Sequence, residues 1–292
     1  MYGEWEPRET YCVDEQSVHV KYAGPDCGET GMEVSFMKDE LGTHWEKGTE
    51  FKSMPLPDHI FTSGQIGFDY MSIAGYPEDH LFVCGGIRYY DLRKNIHLMS
   101  SKNELRIQHS IPSKKKIIFV VTTPIIHETV AMLSSLYRAI KAQKQYTDEF
   151  YVVIKHHPLT RHMHEINEII EPWHKIVTHE IVWNPINIHE YIKMSDVILT
   201  SGGTIPLEAM IIGVPSILYS SKINFSHNPL QNYPQSALFV NDTTSMSAAI
   251  KKVVHNEFKT GFKNNWIEPV NNMFGVYQNN QYEKIIELMD SL

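Results

Sequence analysis

Cysteine is scarce in this chain of 292 residues, with only Cys12, Cys27 and Cys84 present. All three lie in the first third, their number is odd and none has a second cysteine at Cys-x-x-Cys spacing, so neither a zinc ribbon nor a disulfide framework is expected. Reduced thiols in a cytoplasmic protein are the simplest account. Basic charge is also short. The 26 Lys and Arg stand against 34 Asp and Glu, a formal net charge of -8, so no global field draws the chain to nucleic acid or to an anionic membrane. No apolar run approaches the roughly 20 residues of a membrane-crossing helix. The opening MYGEWEPRET lacks the basic-then-apolar order of a secretory leader, which predicts a soluble chain without a signal peptide. An Asp-x-Asp pair that could hold a divalent ion against a diphosphate is missing. The histidines at His156, His157, His162 and His164 have no carboxylate or cysteine at ligand spacing, so no metal is expected. Internal repeats and low-complexity tracts are absent too.

What is present is globular material: 42% apolar and 21% charged residues suffice for one large or two modest domains. Residues 1 to about 55 are polar, rich in Gly, Glu and aromatics, and read as irregular structure with short strands. After Pro57 the segment DHIFTSG reads as a short strand, GFDYMSIAG as a helix closing at Gly75, and HLFVCGG as a strand. The polar stretch 91–116 reads as a connection, and its lysines at 114–116 as a solvated turn. From Lys116 the alternation is regular: strands IIFVVTT, FYVVIKH, KIVTHEIVW, DVILT and PSILY, with amphipathic helices between them. Apolar strands joined by such helices indicate an α/β fold with a parallel sheet covered on both faces. A strand ALFVN, a helix capped near Asp242 or Thr243 and a C-terminal helix QYEKIIELMDSL follow.

Ligands of such sheets bind where strand ends meet helix starts. In TSGGTIPLEA, Ser201, Gly202, Gly203 and Thr204 form a tight turn whose amides can meet phosphate, and Glu208, one turn into the helix, can accept ribose hydroxyls. A packing turn with a surface Glu is the alternative. In KHHP, Lys155, His156 and His157 end a strand, Pro158 holds His157 extended, and an imidazole there can donate to phosphate or protonate a leaving group. Thr122 and Thr123 precede a helix start, where they cap the helix or bind an anion, capping being the simpler account. Arg88, in GGIRYYD, is equally a phosphate contact or an interdomain salt bridge.

A His-Pro strand end, a later Ser-Gly-Gly-Thr turn with Glu four residues on, and Gly-Val-Pro before another strand resemble the C-terminal domain of GT-B glycosyltransferases, in particular those of bacterial surface and capsular polysaccharide synthesis. The stretch from Pro57 to Leu92, with its Gly-then-Arg-Tyr-Tyr-Asp phrase, is similar to the end of such a family's N-terminal domain. The resemblance implies a short or incomplete acceptor-side α/β domain at 1–95, a linker at 96–116 and a Rossmann-like nucleotide-sugar domain at 117–292. It implies a metal-independent transferase with no cofactor beyond its nucleotide-sugar donor, acting on a glycan or lipid-linked acceptor. His157 and Arg88 would be catalytic, and Lys155, His156, Thr122, Thr123, Ser201, Gly202, Gly203, Thr204 and Glu208 would hold the donor. The base is unassigned, with Asp14, Glu15 and His19 as candidates by location only. Peripheral membrane contact and a homo-oligomer are left open, since a short N-terminal part leaves apolar surface for a partner to cover. The rivals are a UDP-N-acetylglucosamine 2-epimerase, whose usual acidic strand end is replaced here by Thr200 and Ser201, and a non-catalytic nucleotide-sugar-binding protein.

Overall fold

A computed structural model of the chain describes residues 12–13, 17–22, 32–38, 45–47, 59–73, 76–159, 163–183, 185, 187–220, 230–257, 265–275 and 281–291. The chain divides into two units, Met1–Ile87 with Asn272–Leu292, and Arg88–Asn271. The first holds an antiparallel sheet of β1 (Cys12–Val13), β2 (Ser17–Tyr22), β3 (Met32–Lys38) and β4 (Trp45–Lys47) in sequential order. The short strands expected before residue 55 therefore form one meander. A parallel pair, β5 (Ile60–Thr62) and β6 (Leu81–Val83), flanks helix α1 (Gln65–Ile73) in the expected strand-helix-strand order; Gly75 lies outside the described residues. Cys84, just past β6, is buried.

The chain's end belongs to this unit, which corrects the expected span of 117–292 for the second domain. Gly86 N–H donates to the Phe274 carbonyl at 2.7 Å. Any Cβ at Gly64 would stand 2.4 Å from the Asn272 carbonyl oxygen, so this approach of main chain to main chain requires glycine. α10 (Gln281–Ser291) closes the described chain.

The second unit is built on six parallel strands: β7 (Lys116–Val121), β8 (Phe150–His156), β9 (Thr178–Trp183), β10 (Val197–Thr200), β11 (Ser216–Tyr219) and β12 (Leu238–Val240). Side chains alternate across a strand, and β7 shows the result. Ile118 and Val120 join one core with α4 (Ile126–Ala142), α5 (Met163–Ile170) and α8 (Thr243–Val254). Ile117, Phe119 and Val121 join the other, with α3 (Lys102–Gln108), α6 (Ile188–Met194) and α7 (Ile205–Ile212). Burying both faces explains the near-continuous apolar runs. β9 departs from that expectation: as an edge strand it leaves Ile181 40% and Trp183 58% exposed. Asp242 and Ser245 cap α8 reciprocally, which places the start of the helix at Asp242. α9 (Ile267–Phe274) follows, and the Trp266 indole N–H just before it reaches the Ser236 carbonyl at 2.9 Å.

The stretch 96–116 is not a linker. It carries a 3-10 turn (Ile96–Leu98) after α2 (Ile87–Asn95), and then α3, whose start is a capping box of Ser101 and Glu104. Arg106 on α3 is 5% exposed and bonds the carbonyls of Met194, Ser113 and Lys115 as well as Asp196 Oδ2 at 2.7 Å. Asp196 also accepts from Lys102 Nζ at 2.7 Å and from the Ile117 amide at 2.8 Å. Four anchored donors make the segment part of the second unit.

Candidate active site at the switch point

The sheet order is β12-β11-β10-β7-β8-β9. Strands added outward from β7 in one direction and from β10 in the other make the point between these two a topological switch, where open α/β sheets bind ligands. The register sets Thr200, Val121 and Lys155 abreast. The turns after all three strands therefore leave the sheet at one level, and a cavity of about 700 Å³ opens there.

Thr122, Thr123, Lys155, His157, Ser201, Gly202, Gly203, Thr204, Glu208 and Arg88 all line it. Two helix starts face it, α4 at Ile125 and α7 at Thr204, and neither has a side-chain cap. Helix starts favour an anion, although at α7 Pro206 brings no N–H and the Leu207 amide already donates to the Thr204 carbonyl at 3.0 Å. The Thr123 and Ser201 hydroxyls are 3.3 Å apart. Thr122 is 1% exposed, and its Oγ1 accepts the His157 amide at 2.9 Å, which ties two strand ends together. Gly203 adopts φ +82°, the left-handed conformation, with open space where a Cβ would go.

Glu208 is wholly buried and satisfied on both oxygens. Oε1 accepts from Arg88 Nη2 at 3.1 Å and from Thr204 Oγ1 at 3.2 Å, and Oε2 pairs with His189 Nε2 at 2.9 Å. Glu208 is thus not the surface residue of the alternative reading but a buried, anchored group in the cavity wall. Arg88, left between two readings, makes its ion pair inside the second unit. Burial draws the Lys155 ammonium below its ordinary pKa, with the charge of Glu208 working against that shift. For His157, burial and then the Lys155 charge lower the pKa from 6.5. Its Nδ1 accepts the Leu159 amide at 3.2 Å. The neutral ring therefore carries its proton on Nε2, a hydrogen-bond donor.

His156 is the exception among the expected donor residues. It points away from the cavity, is fully buried, and packs its ring 5.3 Å from that of Trp183. Alternation along β8 places it on the opposite face from Lys155. Asp14, Glu15, Cys27 and His162 lie outside the described residues, and His19 falls on β2. Two residues were missed by sequence reasoning. Glu128, in the first turn of α4, is 7% exposed and lines the cavity. His189 holds Glu208. A first-turn acid reads as a dipole partner, and His189 carries no motif, so neither gave a signal. Among the described residues, no group of His, Cys, Asp and Glu could hold a metal ion, and no helix is long and apolar enough to cross a membrane.

Residues 90–226 match the family model of lipid-A-disaccharide synthetase. No curated protein matches the sequence. Among solved structures, UDP-GlcNAc 2-epimerase from Neisseria meningitidis bound to UDP-GlcNAc is similar over 80% of this chain and 62% of its own, with 14% identity and a TM-score of 0.58. The chain has a GT-B-like, Rossmann-like α/β fold. The wall teichoic acid polymerase TagF shares that GT-B arrangement over 80% of this chain and 56% of its own, at 15% identity and a TM-score of 0.54. A glycosyltransferase from Rickettsia africae ESF-5 does so over 80% and 63%, at 14% identity and a TM-score of 0.54. The chain spans less than two thirds of the length of each of these GT-B structures.

Proposed function

We propose that this chain is a glycosyltransferase that takes a sugar from a nucleotide-sugar donor and passes it to a glycan or lipid-linked acceptor in surface polysaccharide synthesis, in the cytoplasm and without a divalent metal or other cofactor. The observation that carries this reading is the convergence at one switch point of two uncapped helix starts, Arg88, Lys155, His157 and the buried Glu208. In the reaction an acceptor hydroxyl attacks the anomeric carbon and gives up its proton to a general base or to water. The bond from that carbon to the donor phosphate oxygen breaks, and its electron pair leaves with the nucleotide. A helix start stabilises such an anion by about 0.3–2 kcal/mol. Each charge-assisted hydrogen bond adds about 1.5–3 kcal/mol, and Lys155 and Arg88 are the cations to supply them. His157 contributes Nε2–H as a neutral donor. Glu208 binds the ribose, and the turn Ser201–Thr204 with Thr122 and Thr123 meets the phosphates. The match to the lipid-A-disaccharide synthetase model and the teichoic acid polymerase likeness support a surface-glycan setting.

A binding panel of UDP, CMP, CDP and GDP species on the protein and on Glu208→Ala tests the reading. One nucleotide class is expected to bind, and to bind about tenfold or more weakly to the variant, the loss of one to two charge-assisted bonds. Unchanged affinity for every binder would remove Glu208 from the ribose role. The likeness to the Neisseria epimerase favours a second reading, a 2-epimerase. Turnover of a nucleotide sugar with no acceptor present supports that alternative, whereas a transferase shows only slow hydrolysis. Binding without consumption of any donor would mark a non-catalytic protein.

A further inference from the structure

We propose that Glu208 and Arg88 form an exchange latch: the donor's ribose takes the carboxylate site that now holds Arg88, and the released guanidinium moves onto the donor's diphosphate. The inference rests on the donor-site reading above and deepens it.

A carboxylate offers about four lone-pair sites, two on each oxygen. On Glu208, Oε1 already serves Arg88 Nη2 at 3.1 Å and Thr204 Oγ1 at 3.2 Å, while Oε2 serves His189 at 2.9 Å. The side chain is 0% exposed and borders the cavity. A vicinal diol that bridges both oxygens can use the open site on Oε2, and it must displace one donor from Oε1. Thr204 is short and fixed to the helix start. Arg88 is long and 64% exposed, so it is the donor that leaves.

Arg88 lines the same cavity as the two uncapped helix starts, so its guanidinium stays within that site after release. There its planar fork suits two phosphate oxygens. One charge-assisted bond replaces another, and the cation passes from carboxylate to diphosphate without being stranded. His189 keeps Oε2 throughout and acts as a positioning residue. The latch couples the two halves of the donor. Pyrophosphate alone has nothing to offer Glu208 and leaves Arg88 where it is, whereas a nucleoside diphosphate frees Arg88 and then receives it.

Calorimetric titration with inorganic pyrophosphate, UDP, CDP and GDP tests this on the full chain. Replacing the exposed Arg88 by alanine is expected to weaken the tightest nucleoside diphosphate about tenfold or more while changing pyrophosphate affinity by less than about twofold. Glu208→Gln should separate the ligands with opposite signs: pyrophosphate binds more tightly because Arg88 is released, and the nucleoside diphosphate binds less tightly. Equal weakening of both ligands in Arg88→Ala would mean that the guanidinium already serves phosphate, overturning the latch and leaving the donor site standing. No binding of any of the three nucleoside diphosphates to the unaltered protein would overturn both.

Discussion

At the start of the parallel strands Asp196 collects Lys102, Arg106 and the Ile117 amide; at their far end Glu208 collects Arg88, Thr204 and His189. Both carboxylates sit in the second unit among cations, yet the two clusters are built for different ends. Around Asp196 the partner Arg106 has a side chain only 6% exposed and spends its remaining donors on three main-chain carbonyls. Arg106 cannot let go of Asp196 without stranding a buried charge. Around Glu208 the cation is 64% exposed and borders a cavity. A fixed anion with a movable cation can exchange partners, and a fixed pair can only hold.

The largest effect should come from Asp196→Ala, which leaves Arg106 buried without its anion and should cost about 3–5 kcal/mol, read from urea unfolding. Burial pushes the Asp196 pKa up. The charge and hydrogen bond of Lys102, the Ile117 amide and the Arg106 charge outweigh it and hold the group below its ordinary 3.8. Because the folded value lies below the unfolded one, this stabilisation is complete above the unfolded pKa and is lost as pH falls through the folded one. Asp196→Asn should therefore flatten the acid limb of the stability profile.

Glu208→Ala should reverse the balance. Stability falls far less, because Arg88 and His189 can turn to water, and binding of the nucleotide falls about 10-fold to 100-fold. If both alanine variants unfolded equally early, the contrast between the two clusters would be lost. A smaller cost, about 1–2 kcal/mol of stability, is expected for Gly203→Ala, since the left-handed backbone there strains an L side chain that meets no neighbour. The smallest effect near neutrality concerns His157. Burial and the Lys155 charge hold its pKa below 6.5, so the share of the pH dependence of nucleotide affinity that this ring contributes should lie on the acid side of an ordinary imidazole's, and His157→Gln should remove that share.

The sheet was legible because β7, β8, β10 and β11 are buried on both faces and leave long apolar runs. The turn at Gly202 and Gly203 was legible from the Gly-Gly pair between a strand and a helix, and Gly203 takes the left-handed φ that favours glycine. What escaped was polar structure. α2, with Arg88, has no apolar stripe to announce it, and 96–116 looked like a connection, although Ser101-x-x-Glu104 is a helix-start signature that could have been read. His156 and His157 are indistinguishable by type; only the β8 alternation separates a core ring from a cavity ring. That Glu208 would be buried and tied to Arg88, 120 positions away, and to His189 is a long-range fact without a local signature. The return of 272–292 to the first unit is another.

The cavity at the ends of β7 and β10 is bordered by the turns 122–125 and 201–204. The helices that follow these turns, α4 and α7, pack on opposite faces of the sheet. The turns 122–125 and 201–204 can accordingly be treated as exchangeable lips on a fixed frame. Exchanging them between chains of this fold should change how the cavity meets a bound anion while the sheet beneath keeps its register.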